Sequence, residues 1–171
     1  MSALEVVPAD QLRIDKFDEH VLDLSFYWVN DPEIRTLIDG QHVDKAEQLR
    51  WFSTLGQRTD VLIRSIWHGN VAIGVMGLKH ITSDDAEYWG YLGNKDYWGR
   101  QIGLWMIAEA VRLAQERGLR RIYLRVLPDN ERAVRLYRKT GFHFVKTEDK
   151  LDPRFLVMER KIMANDQNVH E

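Results

Sequence analysis

The stretch from Tyr91 to Leu104 constrains the fold of this chain more than any other. Its residues predict the end of a strand, a glycine-containing turn and the start of a long helix. The first backbone N–H groups of a helix have no partners within the helix, so they attract anions such as phosphates. Gly99 and Gly103 would let a ligand approach the backbone closely. An ordinary strand-to-helix turn explains the same residues, so the rest of the chain has to decide between the two interpretations.

Alternating apolar residues, helix caps and glycine stops predict the element order β-α-α-α-β-β-β-α-β-α-β-β along the 171-residue chain. Asp18, Asp31 and Asp44 stand where N-caps belong, and Asp44 with Glu47 forms a capping-box pattern. A three-strand meander followed by a β-α-β unit predicts an α/β fold with a mixed, mostly antiparallel central sheet flanked by helices. We expect one domain over residues 1–171, with a core from 12 to 162 and a frayed tail from 163 to 171.

Composition excludes several classes of protein and of site. The net charge of −2 gives no overall attraction to nucleic acid or to an anionic membrane, so neither partner is expected. The absence of cysteine excludes disulfides, thiolate metal sites and a cysteine nucleophile. The six histidines show no metal-ligand spacing, so we predict no metal. Residues 1–10 lack the pattern of a signal peptide and no apolar run is long enough to span a bilayer, which makes a cytoplasmic location the default expectation.

A second motif runs from Asn130 to Phe142. Together with the glycine turn, it resembles the GNAT superfamily of acyl-CoA-dependent N-acyltransferases, and the resemblance covers nearly the whole chain. The family's motif has the form N-x-x-[AS]-x-x-[LF]-Y-x-K-x-G-F, which is matched here by Asn130, Ala133, Leu136, Tyr137, Lys139, Gly141 and Phe142. At the turn the family usually has [QR]-x-x-G-x-[GA]. Here Gly103 is kept, while Gln101 replaces the expected glycine and Trp98 the expected polar residue.

The resemblance implies acetyl-CoA as the co-substrate. Its pantetheine arm would lie along the strand end at Leu92 and Gly93, paired with the backbone like an added strand. Its pyrophosphate would meet the amides of the turn, provided that Gln101 takes an ordinary helical conformation, with Arg100 as an added cation. Asn130 would hold the arm and cap its own helix as well. The full set implied for the cofactor is Leu92, Gly93, Trp98, Gly99, Arg100, Gln101, Ile102, Gly103, Leu104, Asn130, Ala133, Tyr137 and Lys139.

Two residues are predicted to carry the chemistry. Direct attack of an amine on a thioester expels a thiolate, and the resemblance implies that Tyr137 protonates this leaving group as a general acid. The alternative for Tyr137 is a core tyrosine on a helix. A substrate amine with a pKa near ~10 is mostly protonated at neutral pH, so its proton has to be accepted before attack. Glu87 is the candidate base, acting directly or through water, with an exposed strand carboxylate as an equal alternative. His80 and Asp85 are weaker candidates.

The acceptor site is expected to come from the helical first third of the chain. In the family, the loop between the first two helices walls the acceptor pocket, and the string Trp-x-Asn-Asp-Pro-x-x-Arg resembles the branch with ribosomal-protein, spermidine and amino-sugar-nucleotide acetyltransferases. Glu148, Asp149 and Lys150 either fold over the acceptor or form a solvated loop. The residues expected to bind the acceptor are Trp28, Asn30, Asp31, Arg35, Glu87, Trp89 and Tyr91, with His42 as a further candidate.

Together these features predict an acetyl-CoA-dependent N-acetyltransferase that acts on a small-molecule primary amine. A nucleotide-linked amino sugar is slightly favoured, because aromatic and mixed-charge residues suit it better than a polyamine. One alternative is an enzyme that acetylates the N-terminus of a ribosomal protein. An alternative from another class is a non-catalytic acyl-CoA-binding sensor domain. The sequence allows a homodimer and does not fix the oligomeric state.

Overall fold

The computed structural model describes residues 4–146 and 152–164. Within them, seven strands form one sheet: β1 (Leu12–Lys16), β2 (Leu62–His68), β3 (Val71–Lys79), β4 (Asp85–Leu92), β5 (Arg121–Val126), β6 (His143–Phe144) and β7 (Leu156–Lys161). Their spatial order is β1-β2-β3-β4-β5-β7-β6. All neighbours are antiparallel except β4 and β5, which run parallel. From residue 165 onward, the predicted tail lies outside the described residues.

Five helices pack on this sheet: α1 (Glu19–Asn30), α2 (Pro32–Leu37), α3 (Lys45–Thr54), α4 (Ile102–Glu116) and α5 (Glu131–Lys139). The predicted caps are present, because the side chains of Asp18, Asp31 and Asp44 accept hydrogen bonds from the first-turn amides of α1, α2 and α3. The element order is the predicted one, and the mixed α/β fold is confirmed. A bilayer-spanning helix is not found within the described residues.

The sheet buries apolar side chains on both of its faces. On one face, Ile107 of α4 packs in a large core with Met76 and Ile122 from the central strands, and all three are almost inaccessible. On the other face, Val21 of α1 and Val75 of β3 belong to a smaller core. Partly buried rings surround that smaller core: Phe17, Trp28, Trp51, Trp67, Trp89 and Tyr91. Trp28, Trp89 and Tyr91, the three aromatic residues predicted to bind the acceptor, therefore lie on the face that carries α1 and α3.

A bulge in β3 determines where β4 ends. The ladder between β2 and β3 shifts register opposite Ile73, which is left as the extra residue next to Gly74. The Ile73 carbonyl accepts hydrogen bonds from the amides of Gly93 and Asn94, at 2.9 and 3.1 Å. These two bonds end β4 and begin the turn that leads into α4.

A gap opens between β4 and β5. Ladder pairs link the two strands only over Asp85–Glu87, opposite residues 121–123 of β5. Beyond Glu87, β4 continues to Leu92 and β5 to Val126 without pairing to each other. The gap therefore has its apex at Glu87, and the edge of β4 from residue 88 to 92 faces it with backbone groups that no ladder uses on that side.

Candidate active site

Two cavities meet in the gap between β4 and β5. The turn-side cavity has a volume of about 730 Å³ and is bounded by the glycine turn, α4 and α5. The helix-side cavity has a volume of about 760 Å³ and is bounded by α3, the connection after α2 and the segment before β7. The residues that line both cavities are Leu37, Ile38, Tyr88, Gly90, Tyr91, Asn130, Ala133 and Tyr137. Two ligands that enter from opposite sides would therefore meet at this shared wall.

The turn before α4 contains two residues in the left-handed region, Gly99 with φ 77° and Gln101 with φ 62°. Gln101 therefore does not adopt the ordinary helical conformation that was the condition for the amides of the turn to meet the pyrophosphate. The chain is extended at Trp98 and has to reverse within three residues to begin α4 at Ile102, and Gln101 completes this reversal as the N-cap. A left-handed conformation costs a non-glycine residue about 1–2 kcal/mol, which explains why the family prefers glycine at this position.

The N-terminus of α4 is uncapped. Gln101 makes no capping hydrogen bond, so no side chain at the N-cap satisfies the amides of the first helical turn. Ile102, Gly103 and Leu104 line the turn-side cavity, where their amides and the positive end of the helix dipole favour an anion. A methyl group on Gly103 would lie 2.8 Å from Leu136 Cδ2, so this glycine also lets α4 approach α5 closely.

Of the two cations predicted to bind the cofactor, Lys139 lines the turn-side cavity and Arg100 does not, while Arg132 lines it without having been predicted. The Arg100 Nε donates to the Glu5 carbonyl at 2.8 Å, and its guanidinium lies 5.1 Å from the centre of the Tyr97 ring. Arg100 does not line the turn-side cavity, whereas Arg132 and Lys139 of α5 do. Arg132 stands at a variable position of the family motif, so the motif does not mark it. Its place in the first turn of α5 is the signal that could have identified it.

The end of β4 is held by two contacts of aromatic rings. The Trp98 indole Nε1 donates to the Leu92 carbonyl at 2.9 Å, and both residues line the turn-side cavity. A Cβ atom on Gly93 would lie 1.9 Å from the Trp28 ring, so Gly93 is the residue that lets this ring lie flat on the strand end. Gly93 lies directly after β4, at the strand end where the pantetheine arm was predicted to bind, but it lines neither cavity.

Tyr137 stands where the two cavities join. Burial raises the pKa of Tyr137 to about 12, so the hydroxyl keeps its proton at neutral pH. The ring packs on the large core and 5.8 Å from the ring centre of Phe142, and the hydroxyl makes no hydrogen bond to any described residue. Asn130 caps α5 as expected, since its side chain accepts from the Ala133 amide at 3.3 Å. A protonated phenol without a partner is therefore available to a ligand at this junction.

Glu87 lies at the apex of the gap and lines the helix-side cavity. The alternative expectation of an exposed carboxylate is wrong, because Glu87 is only 4% exposed. Its Oε1 accepts a hydrogen bond from Arg125 Nε at 3.0 Å and lies 3.8 Å from Lys79 Nζ. Its Oε2 lies 2.8 Å from His80 Nδ1. A carboxylate, an imidazole and two cations thus form one cluster at the apex.

The remaining candidate base, Asp85, belongs to a separate ion-pair network. Arg121 Nη1 donates to its carboxylate at 2.7 Å and also pairs with Glu159. Asp85 lines neither cavity. Burial, followed by the charges of Glu87 and Asp85, raises the pKa of Tyr123, which lies between the two networks on β5. Within residues 4–146 and 152–164, no group of three or more His, Asp or Glu side chains is placed to hold a metal.

The residues near the end of α1 that were predicted to bind the acceptor make contacts within the fold instead. They do not belong to the wall of the helix-side cavity. The Asn30 side chain accepts from the Val43 amide and donates to the Val43 carbonyl, both at 2.9 Å. Asp31 caps α2, and its hydrogen bond from Lys95 at 3.0 Å is the main cause of its lowered pKa. None of the four described residues predicted here lines the helix-side cavity: Trp28, Asn30, Asp31 and Arg35. Glu87, Trp89 and Tyr91 do line it.

The wall of the helix-side cavity is completed by residues that the sequence did not mark. Leu37, Ile38 and Asp39 come from the end of α2 and the connection after it, and Phe155 comes from the segment before β7. Asp39 adopts a left-handed conformation with φ 49°. The expected cover formed by Glu148, Asp149 and Lys150 lies outside the described residues. A positive φ at a non-glycine residue is not visible in the sequence, which is why Asp39 was missed.

Comparison with known proteins identifies the family to which a chain with these features belongs. The model of the acetyltransferase (GNAT) family matches residues 18–142, which include the glycine turn, α4 and the motif of α5. Acetyltransferase PseH of Campylobacter jejuni is 26% identical over 130 residues, which cover 75% of this chain and 80% of that relative.

Solved acetyltransferase structures share the fold of this chain. Spermidine N-acetyltransferase from Vibrio cholerae, in complex with CoA and spermine, superposes with a TM-score of 0.81 at 18% identity, covering 90% of this chain and 96% of that one. Campylobacter jejuni PseH in complex with acetyl coenzyme A superposes with a TM-score of 0.68 at 19% identity, covering 89% of this chain and 99% of that one.

Proposed function

The chain belongs to the GNAT family of acetyltransferases, and from this premise we propose that it transfers an acetyl group from acetyl-CoA to the primary amine of a small molecule. A nucleotide-linked amino sugar is the favoured acceptor. The observation that carries the proposal is Tyr137, a protonated phenol at the junction of two cavities that can each hold one substrate.

The turn-side cavity suits the acetyl-CoA donor. Its uncapped helix N-terminus, with Arg132 and Lys139 on the facing helix, offers amides and positive charge to a pyrophosphate. The unpaired edge of β4 between Tyr88 and Leu92 offers backbone groups to the two amides of a pantetheine arm. The thioester at the end of that arm would then lie near Tyr137. The CoA and acetyl-CoA complexes of the two structural neighbours support this assignment of the donor.

The reaction needs four proton transfers, the last of them to solvent. The protonated amine first loses one proton to the cluster around Glu87, which leaves a lone pair on nitrogen. The nitrogen attacks the thioester carbonyl, the carbon–sulfur bond breaks, and Tyr137 protonates the departing thiolate. The second proton on nitrogen then returns through water to the Tyr137 oxygen. The Glu87 cluster then releases the first proton to solvent. The products are an N-acetylated amine, CoA with its thiol and one proton in solvent, and both Glu87 and Tyr137 regain their starting state.

The charges of the helix-side cavity favour an amino sugar over a polyamine. Four carboxylates line it, and those of Asp39, Glu87 and Asp152 contact arginine side chains. The fourth, Glu47, accepts a hydrogen bond from the Asp44 amide in the capping box. The four therefore do not form the unneutralised acidic cluster that a polyamine requires. Trp89 and Tyr91 supply rings on which a sugar or a base can stack.

The proposal is tested by measuring CoA release with four amines: UDP-glucosamine, glucosamine, spermidine and a short peptide with a free N-terminal alanine. We expect the highest kcat/KM with one of the two amino sugars. A spermidine or peptide preference would overturn the favoured acceptor class and leave the acetyltransferase activity standing. Binding of acetyl-CoA without CoA release from any amine would instead favour a non-catalytic sensor.

A further inference from the structure

The carboxylate of Glu87 is poorly placed to take a proton from the amine by itself. Both of its oxygens already accept hydrogen bonds, one from Arg125 and the other from His80, and only 4% of the residue is exposed. Glu87 lines the helix-side cavity, but both of its oxygens are already engaged, which leaves the carboxylate little capacity to accept a proton directly. The partner on its Oε2 is different. The His80 side chain lines neither cavity but is 58% exposed, so it is open to water that connects it to the amine.

His80 presents a free nitrogen on the side away from Glu87. The 2.8 Å contact to the carboxylate uses Nδ1, and Nε2 has no hydrogen-bond partner among the described residues. A carboxylate accepts hydrogen bonds only, so it favours the neutral tautomer with the proton on Nδ1. The lone pair of Nε2 is then exposed and able to accept a proton. The same division of roles, an orienting carboxylate and a proton-accepting imidazole, recurs in unrelated enzymes.

The backbone of His80 is held in an unfavourable conformation that produces this contact. β3 ends at Lys79, which pairs with Glu87, so the following residue would ordinarily point to the opposite face of the sheet. His80 has φ 51°, in the left-handed region, and its ring thereby returns to the Glu87 side. Such strain persists where the surrounding structure enforces it, and it concentrates at functional sites.

We propose that His80 Nε2 is the proton acceptor for the substrate amine and that Glu87 is the positioning residue that holds the imidazole. This inference rests on the proposed acetyltransferase function. The ammonium loses a proton to Nε2 through water, which gives a free amine and an imidazolium that Glu87 stabilises. The imidazolium then releases its Nε2 proton to solvent, so His80 is neutral again before the next cycle.

The charges around His80 come from four elements. Glu87 on β4 is its direct partner, and Lys79 precedes it on β3. Arg125 of β5 is bonded to the far oxygen of Glu87. Asp60, from the loop before β2, lies close enough for the charge of His80 to contribute to its lowered pKa, after the larger effect of the hydrogen bond from Arg58. Two basic groups, Lys79 and Arg125, and one acidic group, Asp60, thus lie near the His80–Glu87 pair.

The test compares His80→Asn with wild type. Asparagine tolerates a left-handed backbone and can donate to Glu87, but it has no second nitrogen to accept a proton. With the panel amine that wild type acetylates fastest, kcat should fall about 100-fold at pH 7 while the KM for acetyl-CoA stays unchanged. The deficit should shrink as the pH approaches the pKa of the amine, because the free amine then forms without a base. His143→Asn is the matched control: an exposed histidine beside Glu159 on the same sheet.

Two further measurements separate a chemical from a structural role. His80→Gly accepts the left-handed backbone and leaves space for a free imidazole, so added imidazole should restore part of the lost kcat. In wild type, ¹⁵N NMR should show His80 protonated on Nδ1, and Glu87→Gln should shift the ring toward the Nε2 tautomer.

An active His80→Asn variant, within twofold of wild type at pH 7, would overturn the inference and leave the proposed function intact. A Glu87→Gln variant that loses activity while the His80 tautomer stays unchanged would also overturn it, in favour of Glu87 as the direct acceptor. Failure of wild type with every panel amine would overturn the proposed function, and this inference with it.

Discussion

Replacing Tyr137 with phenylalanine removes one oxygen at the junction of the two cavities. We expect kcat for CoA release to fall about 100-fold, because the thiolate then leaves without a general acid. The Kd for acetyl-CoA, measured by calorimetry, should change by less than about twofold, since the ring stays in its packing site. Tyr123→Phe is the control, because Tyr123 lies on β5 but lines neither cavity. An unchanged kcat in Tyr137→Phe would rule out the acid role.

The raised pKa of Tyr137 also determines the direction of a pH effect. A free tyrosine loses its proton around pH 10, whereas burial moves the pKa of Tyr137 to about 12. The Tyr137 hydroxyl therefore keeps its proton as the pH rises to 10, and it loses the proton only as the pH approaches 12. We expect a kcat profile for wild type with no decline from about pH 8 to pH 10, measured with an amine in saturating amount and corrected for enzyme stability. A decline that disappears in Tyr137→Phe would contradict the raised pKa.

Gln101 offers a test of backbone strain at the cofactor turn. Gln101→Gly should leave the free energy of unfolding unchanged or raise it by up to about 1 kcal/mol, because relief of the left-handed strain offsets the greater flexibility of unfolded glycine. The same change at Gln115, inside α4, should lower it by about 1 kcal/mol. Chemical denaturation measures both variants. If Gln101→Gly lowered the free energy of unfolding as much as Gln115→Gly does, the left-handed conformation of Gln101 would not be strained.

At the residue scale, the role of a residue could be predicted from the sequence where a local rule, such as helix capping, or a family motif applies to it. Asn130 was expected as a cap and Tyr137 as a motif tyrosine, and the structure places both at the gap. Contacts between distant residues were not predictable in this way. Arg100 is turned toward the Glu5 carbonyl, which lies 95 positions earlier in the chain. The left-handed conformation of His80 is likewise fixed by packing against β4 and has no local sequence signal.

At the level of elements, the order of strands and helices followed from the sequence because each boundary carries its own signal. Aspartate caps begin α1, α2 and α3, and Gly118 ends α4 with a positive φ of 68°. The separation of β4 from β5 had no such signal. It lies where the ladder between the two strands stops, at Glu87, and that point is set by pairing between residues far apart in the sequence.

The packing of α1 on the end of β4 is tested by Gly93→Ala. The added methyl group would lie 1.9 Å from the Trp28 ring, so either the ring or the strand end has to move. We expect the free energy of unfolding to fall by about 1–3 kcal/mol, as for other overpacked sites. Gly56→Ala is the control, because a methyl group added there would have no atom of another residue within 4 Å beyond its chain neighbours. Equal stability of the two variants would show that the Trp28 ring is not fixed on β4.

On the scale of the whole molecule, one ion pair connects two distant segments at the edge of the helix-side cavity. Arg154 Nη2 donates to Asp39 Oδ2 at 2.9 Å, across 115 positions of sequence. The same guanidinium donates to Asp152 at 2.6 Å, and the hydrogen bond to Asp152 is the main reason for its raised pKa. The pair thereby joins the connection after α2 to the segment before β7, and Asp39, Asp152 and Phe155 of these segments line the cavity.

The exposure of this pair predicts an effect on substrate binding without an effect on stability. The Arg154 and Asp39 side chains are 61% and 31% exposed, and exposed pairs add little to folding. Asp39→Asn should therefore leave the melting temperature unchanged but raise the KM of the acceptor about fivefold, because the cavity wall is less firmly held. Higher ionic strength should raise that KM in wild type and have less effect in Asp39→Asn, since salt screens the intact pair.

Arg58→Gln, which breaks an exposed pair with Asp60 away from both cavities, should change neither the melting temperature nor the KM of the acceptor. If Asp39→Asn kept the wild-type KM, the pair would be a surface contact with no part in forming the acceptor site.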